Sequence, residues 1–276
     1  MTLRSLVIRS RPRFWHYLAG PVIVGAVFGA GSLSELFTPV SGLLFLYFLV
    51  PANVFLYGVN DIFDADVDAA NPRKDRRERR YLGDPLTKRA VIAAAGLGFL
   101  VLAFLPDAAR PWMLGFLLLG VAYSAPPLRL KTRPPLDSVS NGLYILPGVA
   151  AYAALAGTAS PALAIGAGWL WAMGMHTFSA IPDVEPDRLA GISTTATVLG
   201  PRLAGAYCGV VWLLAAGGFA LLDRRLGVLF LAYPALLAAI EGASVTIDRA
   251  YWWFPVVNAT AGMAFTLGGL WWVLHG

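Results

Sequence analysis

Most side chains capable of chemistry fall in two acidic stretches, each closing an apolar run. The first reads Asn60-Asp61-Ile62-Phe63-Asp64-Ala65-Asp66-Val67-Asp68. At about 100° per residue, a helix continued through it points Asp61 and Asp68 in nearly one direction, with Asp64 about 60° away and Asp66 elsewhere. Carboxylates at membrane depth cost roughly 2.5–3.5 kcal/mol each at a helix centre, and like charges side by side raise one another's pKa. A divalent cation removes both penalties, and hard carboxylate oxygens suit Mg²⁺. The second stretch, Asp183-Val184-Glu185-Pro186-Asp187-Arg188, repeats the D-x-[D/E]-x-D pattern of Asp64-Asp66-Asp68 119 residues later. Pro186 disfavours helical geometry at Glu185. Both clusters are expected at helix C-termini, where a carboxylate opposes the helix dipole, so a ligand rather than a solvated cap should balance them.

Basic residues near these stretches complement a diphosphate. Arg73 and Lys74 follow the first motif, Arg188 adjoins the second, and Arg129 and Lys131 follow Tyr123-Ser124-Ala125-Pro126-Pro127. Taken singly, each would more often be a topology anchor. The Tyr123 to Lys131 segment is the better placed, because its prolines define a compact loop on the acidic face. Arg11 and Arg13 are lesser candidates. His16 and His176 have no partner at metal-ligand spacing; His176 reads as a pocket-lining residue or an internally hydrogen-bonded one.

The elements that must carry these groups follow from composition. Of 276 residues, 58% are hydrophobic and 13% charged, with a mean hydropathy of +0.65. Ordinary globular chains carry roughly 25% charged residues, so lipid must be the solvent for much of this one. Nine apolar runs are expected as membrane helices: 15–36, 40–59, 86–105, 111–123, 139–156, 161–181, 203–222, 226–247 and 252–274. They are continuously apolar rather than alternating, which excludes a lipid-facing barrel. With nine crossings, 18 of the 21 Lys and Arg residues fall on the side of the N-terminus, leaving Arg110, Arg224 and Arg225 opposite. The positive-inside rule then makes the N-terminus cytoplasmic. Twelve acidic residues, both motifs included, lie on the same side. The net charge of +5 reflects topology and anionic headgroups rather than nucleic acid. Cys208 stands alone, so no intrachain disulfide or C-x-x-C site can form, and no small-residue cleavage site follows the first run. The fold expected is an all-α membrane protein, nine transmembrane helices around a central cavity. Residues 1–276 form a single domain whose halves, about 1–135 and 136–276, face each other.

With these residues in view, Asn60-Asp-x-x-Asp64-x-x-x-Asp68 resembles the first signature of the UbiA superfamily of intramembrane prenyltransferases. Asp183-x-x-x-Asp187, continuing Arg188-Leu-Ala-Gly191-Ile192, resembles its second, and the segment from Tyr123 to Lys131 resembles its loop between the fourth and fifth helices. The likeness spans almost the whole chain. Within the superfamily, three stretches are similar to the lycopene elongase branch of carotenoid biosynthesis: Ser10 to Trp15, Tyr123 to Arg129 with Asp137-Ser-Val-Ser-Asn141-Gly142, and Tyr251 to Asn258. The string Tyr-Ser-Ala-Pro-Pro-Leu also resembles chlorophyll-synthase-like members.

The resemblance implies Mg²⁺ held by Asp61, Asp64, Asp68, Asp183 and Asp187, with Asp61, Asp64, Asp183 and Asp187 catalytic. It implies a diphosphate bound by Asn60, Arg73, Tyr123, Arg129, Lys131 and Arg188. The donor would be an isoprenoid diphosphate, dimethylallyl diphosphate for an elongase. The acceptor would be lipophilic, lycopene on the route to C50 carotenoids. Phe63, Tyr123, Trp171 and Phe178 are candidates to stabilise an allylic cation. The expected location is the cell membrane, with the active face cytoplasmic. An aromatic acceptor (a quinone, haem or chlorophyll precursor) or a lipid ether is the nearest alternative. A transporter would place its charges near the midplane instead, and a structural scaffold leaves the acidic motifs unexplained.

Overall fold

The computed structural model of the chain describes residues 7, 8, 10–64 and 85–275, and among these it is helical without a strand. The principal helices are α1 (His16–Gly29), α2 (Pro39–Leu49), α3 (Pro51–Phe63), α4 (Pro85–Phe104), α5 (Arg110–Ser124), α6 (Leu146–Ala156), α7 (Ala162–Ala180), α8 (Thr195–Leu222), α9 (Arg224–Phe230), α10 (Ala232–Gly242) and α11 (Ile247–His275). Each apolar run read from the sequence is helical over most of its length. Six helical stretches among the described residues are long and apolar enough to cross a bilayer: Pro39–Phe63, Pro85–Phe104, Leu136–Ala156, Thr195–Leu222, Arg224–Gly242 and Ile247–His275. The first run is helical only to Gly29; Ala30 is extended, and a short turn, Leu33–Leu36, follows. Pro51 interrupts the second run, because the residue before a proline is pushed out of the α region, and it opens α3 at the position where its missing N–H costs nothing.

The chain divides into two compact units. One comprises Met1–Arg129, Leu146–Ala159 and Gly268–Gly276; the other comprises Leu130–Ile145 and Ser160–Leu267. In the first, α1 lies directly on α6: a Cβ on Gly25 would run into the carbonyl of Gly148, and one on Gly29 into the backbone of Tyr152. Small residues permit this approach, which replaces the hydrophobic effect as the source of helix association in lipid. On the other side, Gly58 of α3 accepts Val91 of α4, and the Tyr47 hydroxyl donates to the Ala94 carbonyl at 3.3 Å. These contacts set the height at which α3 ends, and with it the first motif.

In the second unit α7 packs on α8. Gly174 leaves room for the indole of Trp212, which donates to the Trp171 carbonyl at 3.2 Å. Cys208 is buried there as a small core residue, its thiol 3.4 Å from the Gly174 carbonyl. Phe178 packs in tilted contact with Trp212 and Phe254 and has no exposure, which makes it a core residue of this unit. The start of α8 is secured by a reciprocal cap between Thr194 and Thr197. The helix then breaks at Gly200 (φ 75°), a left-handed conformation that glycine adopts without penalty, ahead of Pro201.

Candidate active site

The first motif falls at the C-terminus of α3, which ends at Phe63, so the alignment of Asp61 with Asp68 expected from a continued helix lies outside the described residues. Asp61 lies in the last turn and is 5% exposed, and Asp64 caps the helix. Each carboxylate meets an arginine. Arg11 Nη2 stands 3.1 Å from Asp61 Oδ1, its guanidinium 4.6 Å above the Tyr57 ring. Arg129 Nη2 stands 3.3 Å from Asp64 Oδ1 and also reaches the Phe63 carbonyl. Both arginines have left-handed backbones, with φ of 52° and 41°, a conformation sparsely used by side-chain-bearing residues and concentrated at functional sites. Arg11, a lesser candidate from the sequence, is therefore as firmly placed as Arg129; its backbone conformation is not encoded in any motif. Asn60 Oδ1 accepts from Ser124 Oγ at 3.1 Å, which ties the end of α3 to the end of α5 beside half-buried Tyr123. Lys131 lies in a 3₁₀ turn, Leu130–Thr132. Asp66, Asp68 and Arg73 lie outside the described residues.

The second motif departs from expectation. α7 passes through a 3₁₀ turn, Ile181–Asp183, into a new short helix, Val184–Leu189, of which Asp183 is the N-cap residue. Glu185 is helical despite Pro186, because the proline occupies the third helical position, where its N–H has no partner to lose. Asp183, Glu185 and Asp187 therefore begin a helix, where the dipole favours them, rather than end one. Asp183 and Asp187 are one turn apart on one face, both half-buried. Burial, and then the charge of Asp183, push the Asp187 carboxyl up to about 6. Arg188 donates from Nε (3.1 Å) and Nη2 (2.6 Å) to the Thr197 carbonyl and meets Glu185 with Nη1 at 3.3 Å. It braces the first turn of α8.

Among the described residues no three His, Cys, Asp or Glu side chains come together as a metal-holding group. The donor chemistry nevertheless fits a hard divalent cation. Asp183 and Asp187 repel each other at partial burial, and Mg²⁺ characteristically binds through one or two carboxylates while water and phosphate complete its shell.

The sequence marked Asp137 by its side of the membrane and as the start of an elongase-like stretch, and gave it no chemical role. It is fully buried, its Oδ2 accepting the Thr195 amide at 2.8 Å and its Oδ1 the Thr195 hydroxyl at 2.5 Å, with His176 Nε2 3.7 Å from Oδ2.

Residues 18–251 match the family model of the UbiA prenyltransferase family. The lycopene elongase/hydratase of Haloferax volcanii is 59% identical over 271 residues, covering 98% of this chain and 90% of that protein. The lycopene elongase/hydratase of Halobacterium salinarum is 58% identical over 275 residues, 99% of both chains. Among solved structures, a UbiA homologue from Archaeoglobus fulgidus bound to GPP and Mg²⁺ superposes with a TM-score of 0.74 at 22% identity, covering 96% of this chain and 99% of the other. With the family model spanning most of the chain and relatives aligned nearly end to end, the chain belongs to the UbiA family and is a membrane prenyltransferase.

Proposed function

We propose that the chain transfers a prenyl group from dimethylallyl diphosphate to each end of lycopene, the lengthening step toward C50 carotenoids. The observation that carries this reading is the near full-length alignment, at 59% and 58% identity, with two lycopene elongase/hydratases; the pairs Arg11–Asp61 and Arg129–Asp64 support it. Asp61, Asp64, Asp68, Asp183 and Asp187 would hold Mg²⁺, which supplies Lewis-acid charge at the diphosphate oxygens. Arg129, Lys131, Arg73, Asn60 and Tyr123 bind those oxygens through charge-assisted and neutral hydrogen bonds, and Arg188 contributes the arm that otherwise meets Glu185. The allylic C–O bond breaks with its electron pair leaving on pyrophosphate. The terminal alkene of the acceptor attacks the allylic carbon and becomes a tertiary cation. That cation loses a proton to give an alkene, or takes up water and loses a proton to give an alcohol. Apolar helix walls keep bulk water from the allylic cation. In the membrane, nine crossings with a cytoplasmic N-terminus put both motifs at the inner leaflet of the cell membrane.

Expression of the chain in a lycopene-producing bacterium tests the substrate assignment. New C45 and C50 pigments are the expected result. Unchanged lycopene, with prenylation of an added aromatic acceptor, overturns it.

A further inference from the structure

The second unit holds a buried acid and imidazole pair to which the diphosphate chemistry assigns no task. Asp137, on the short turn Leu136–Val139, has a side chain only 1% exposed. Thr195 supplies donors to both of its oxygens, and Asn141 Nδ2 donates to its main-chain carbonyl at 2.7 Å. A carboxylate so far from water needs compensation, and the imidazole of His176 stands beside it at 3.7 Å. The neighbouring positions lock this register. Thr177 Oγ1 donates to Ser138 Oγ at 3.0 Å, and Ser138 Oγ lies 2.9 Å from the Tyr207 hydroxyl and 3.2 Å from the Met173 carbonyl. Capping α8 through Thr195 would explain a carboxylate at residue 137, but it requires no histidine.

Position supplies the rest. His176 sits on α7, one turn before its end at Ala180, and the 3₁₀ turn that follows carries Asp183, so the two lie roughly 10 Å apart along the chain's path. Its side chain is 16% exposed where that of Asp137 is closed, so the imidazole connects the buried carboxylate to the surface of the unit. A base oriented by a carboxylate is the recurring arrangement for accepting a proton from a reacting group.

Granted the transfer reaction proposed above, we propose that His176 accepts the proton released when the carbocation is quenched, with Asp137 as its positioning residue. Water adds to the tertiary cation through an oxygen lone pair, and one of its O–H bonds breaks as the proton passes to the imidazole, leaving a tertiary alcohol. Loss of a proton from a carbon next to the cation instead leaves an alkene. The imidazolium, balanced by Asp137, returns its proton to solvent.

The test measures the rate of prenylated polyene formation and its alcohol-to-alkene proportion in membranes containing the full chain, dimethylallyl diphosphate, lycopene and Mg²⁺. For His176→Ala the rate is expected to fall about 100-fold, to recover in part with added imidazole, and to fall for Asp137→Asn as well. A folded variant whose rate and alcohol-to-alkene proportion stay within twofold of the wild type overturns the assignment. Should neither variant accumulate folded, the wild type in H₂O and D₂O decides: a lower alcohol fraction in D₂O is expected, and an unchanged one overturns it. Absence of prenylated polyene from the wild type would instead refute the substrate reading, so the two failures are separable.

Discussion

At the end of α3 each carboxylate has its own arginine, Arg11 at 3.1 Å from Asp61 and Arg129 at 3.3 Å from Asp64. In the turn after α7, burial first and then the charge of another carboxylate, Asp183, raise the Asp187 carboxyl to about 6. The first motif is thus balanced by cations carried in the chain, on backbones held in an unfavourable region. In the second, two half-buried carboxylates stand one turn apart, and the charge of Asp183 adds to burial in raising Asp187. On the function proposed above, donor phosphates would compete with Asp64 for Arg129, and a divalent cation would lower the mutual repulsion of Asp183 and Asp187.

The largest effect should come from removing either motif. Asp64→Ala and Asp187→Ala are each expected to lower prenyl transfer by about 10³-fold, since several kcal/mol of leaving-group stabilisation go with the metal. An Asp187→Ala chain with near-normal turnover would break the comparison outright. Next in size, Arg129→Ala should raise the KM for the donor by about 10- to 100-fold, the worth of one charged hydrogen-bonding group, with Arg129→Lys intermediate because it keeps the charge and loses the fork. Arg188→Ala should act more on stability than on donor KM, because two of its donors hold the Thr197 carbonyl. Unfolding temperature and KM measured on the same preparation separate the two.

The smallest effect concerns pH. A carboxyl raised from 3.8 to about 6 in the fold contributes stability that is present below its ordinary value and lost as pH rises through about 6. Metal-free wild type should therefore melt on the order of 1–2 °C higher at about pH 5 than at about pH 7.5, after allowance for solvent screening. Asp187→Asn should erase that difference, and Mg²⁺ affinity should weaken as pH falls through the same window.

Helix phase alone made Asp61 and Asp64 legible, because one helix carries both and an aspartate at a helix C-terminus demands compensation. The second motif was legible as a cluster but not in its geometry: a proline at the third position of a new helix obeys different rules from one inside an old helix. Apolar runs marked where helices would form, yet Pro51 and Gly200 set breaks that composition does not register. The pairing of Asp137 with His176, 39 residues apart on neighbouring elements, left no local signal at all. Arg11 was visible as one of several basic residues before the first helix and as part of the elongase-like stretch Ser10 to Trp15, neither of which gives its pairing with Asp61. Phe178, an attractive aromatic near the second motif, turned inward because α7 packs that face on Trp212.

Binding of Mn²⁺, followed by electron paramagnetic resonance with and without dimethylallyl diphosphate, tests most directly whether both motifs serve one diphosphate. Wild type should bind the ion much more tightly when donor is present, and Asp64→Asn and Asp187→Asn should each lose that donor-dependent gain. If either variant keeps the full gain, the motifs act separately and a diphosphate shared between them is ruled out.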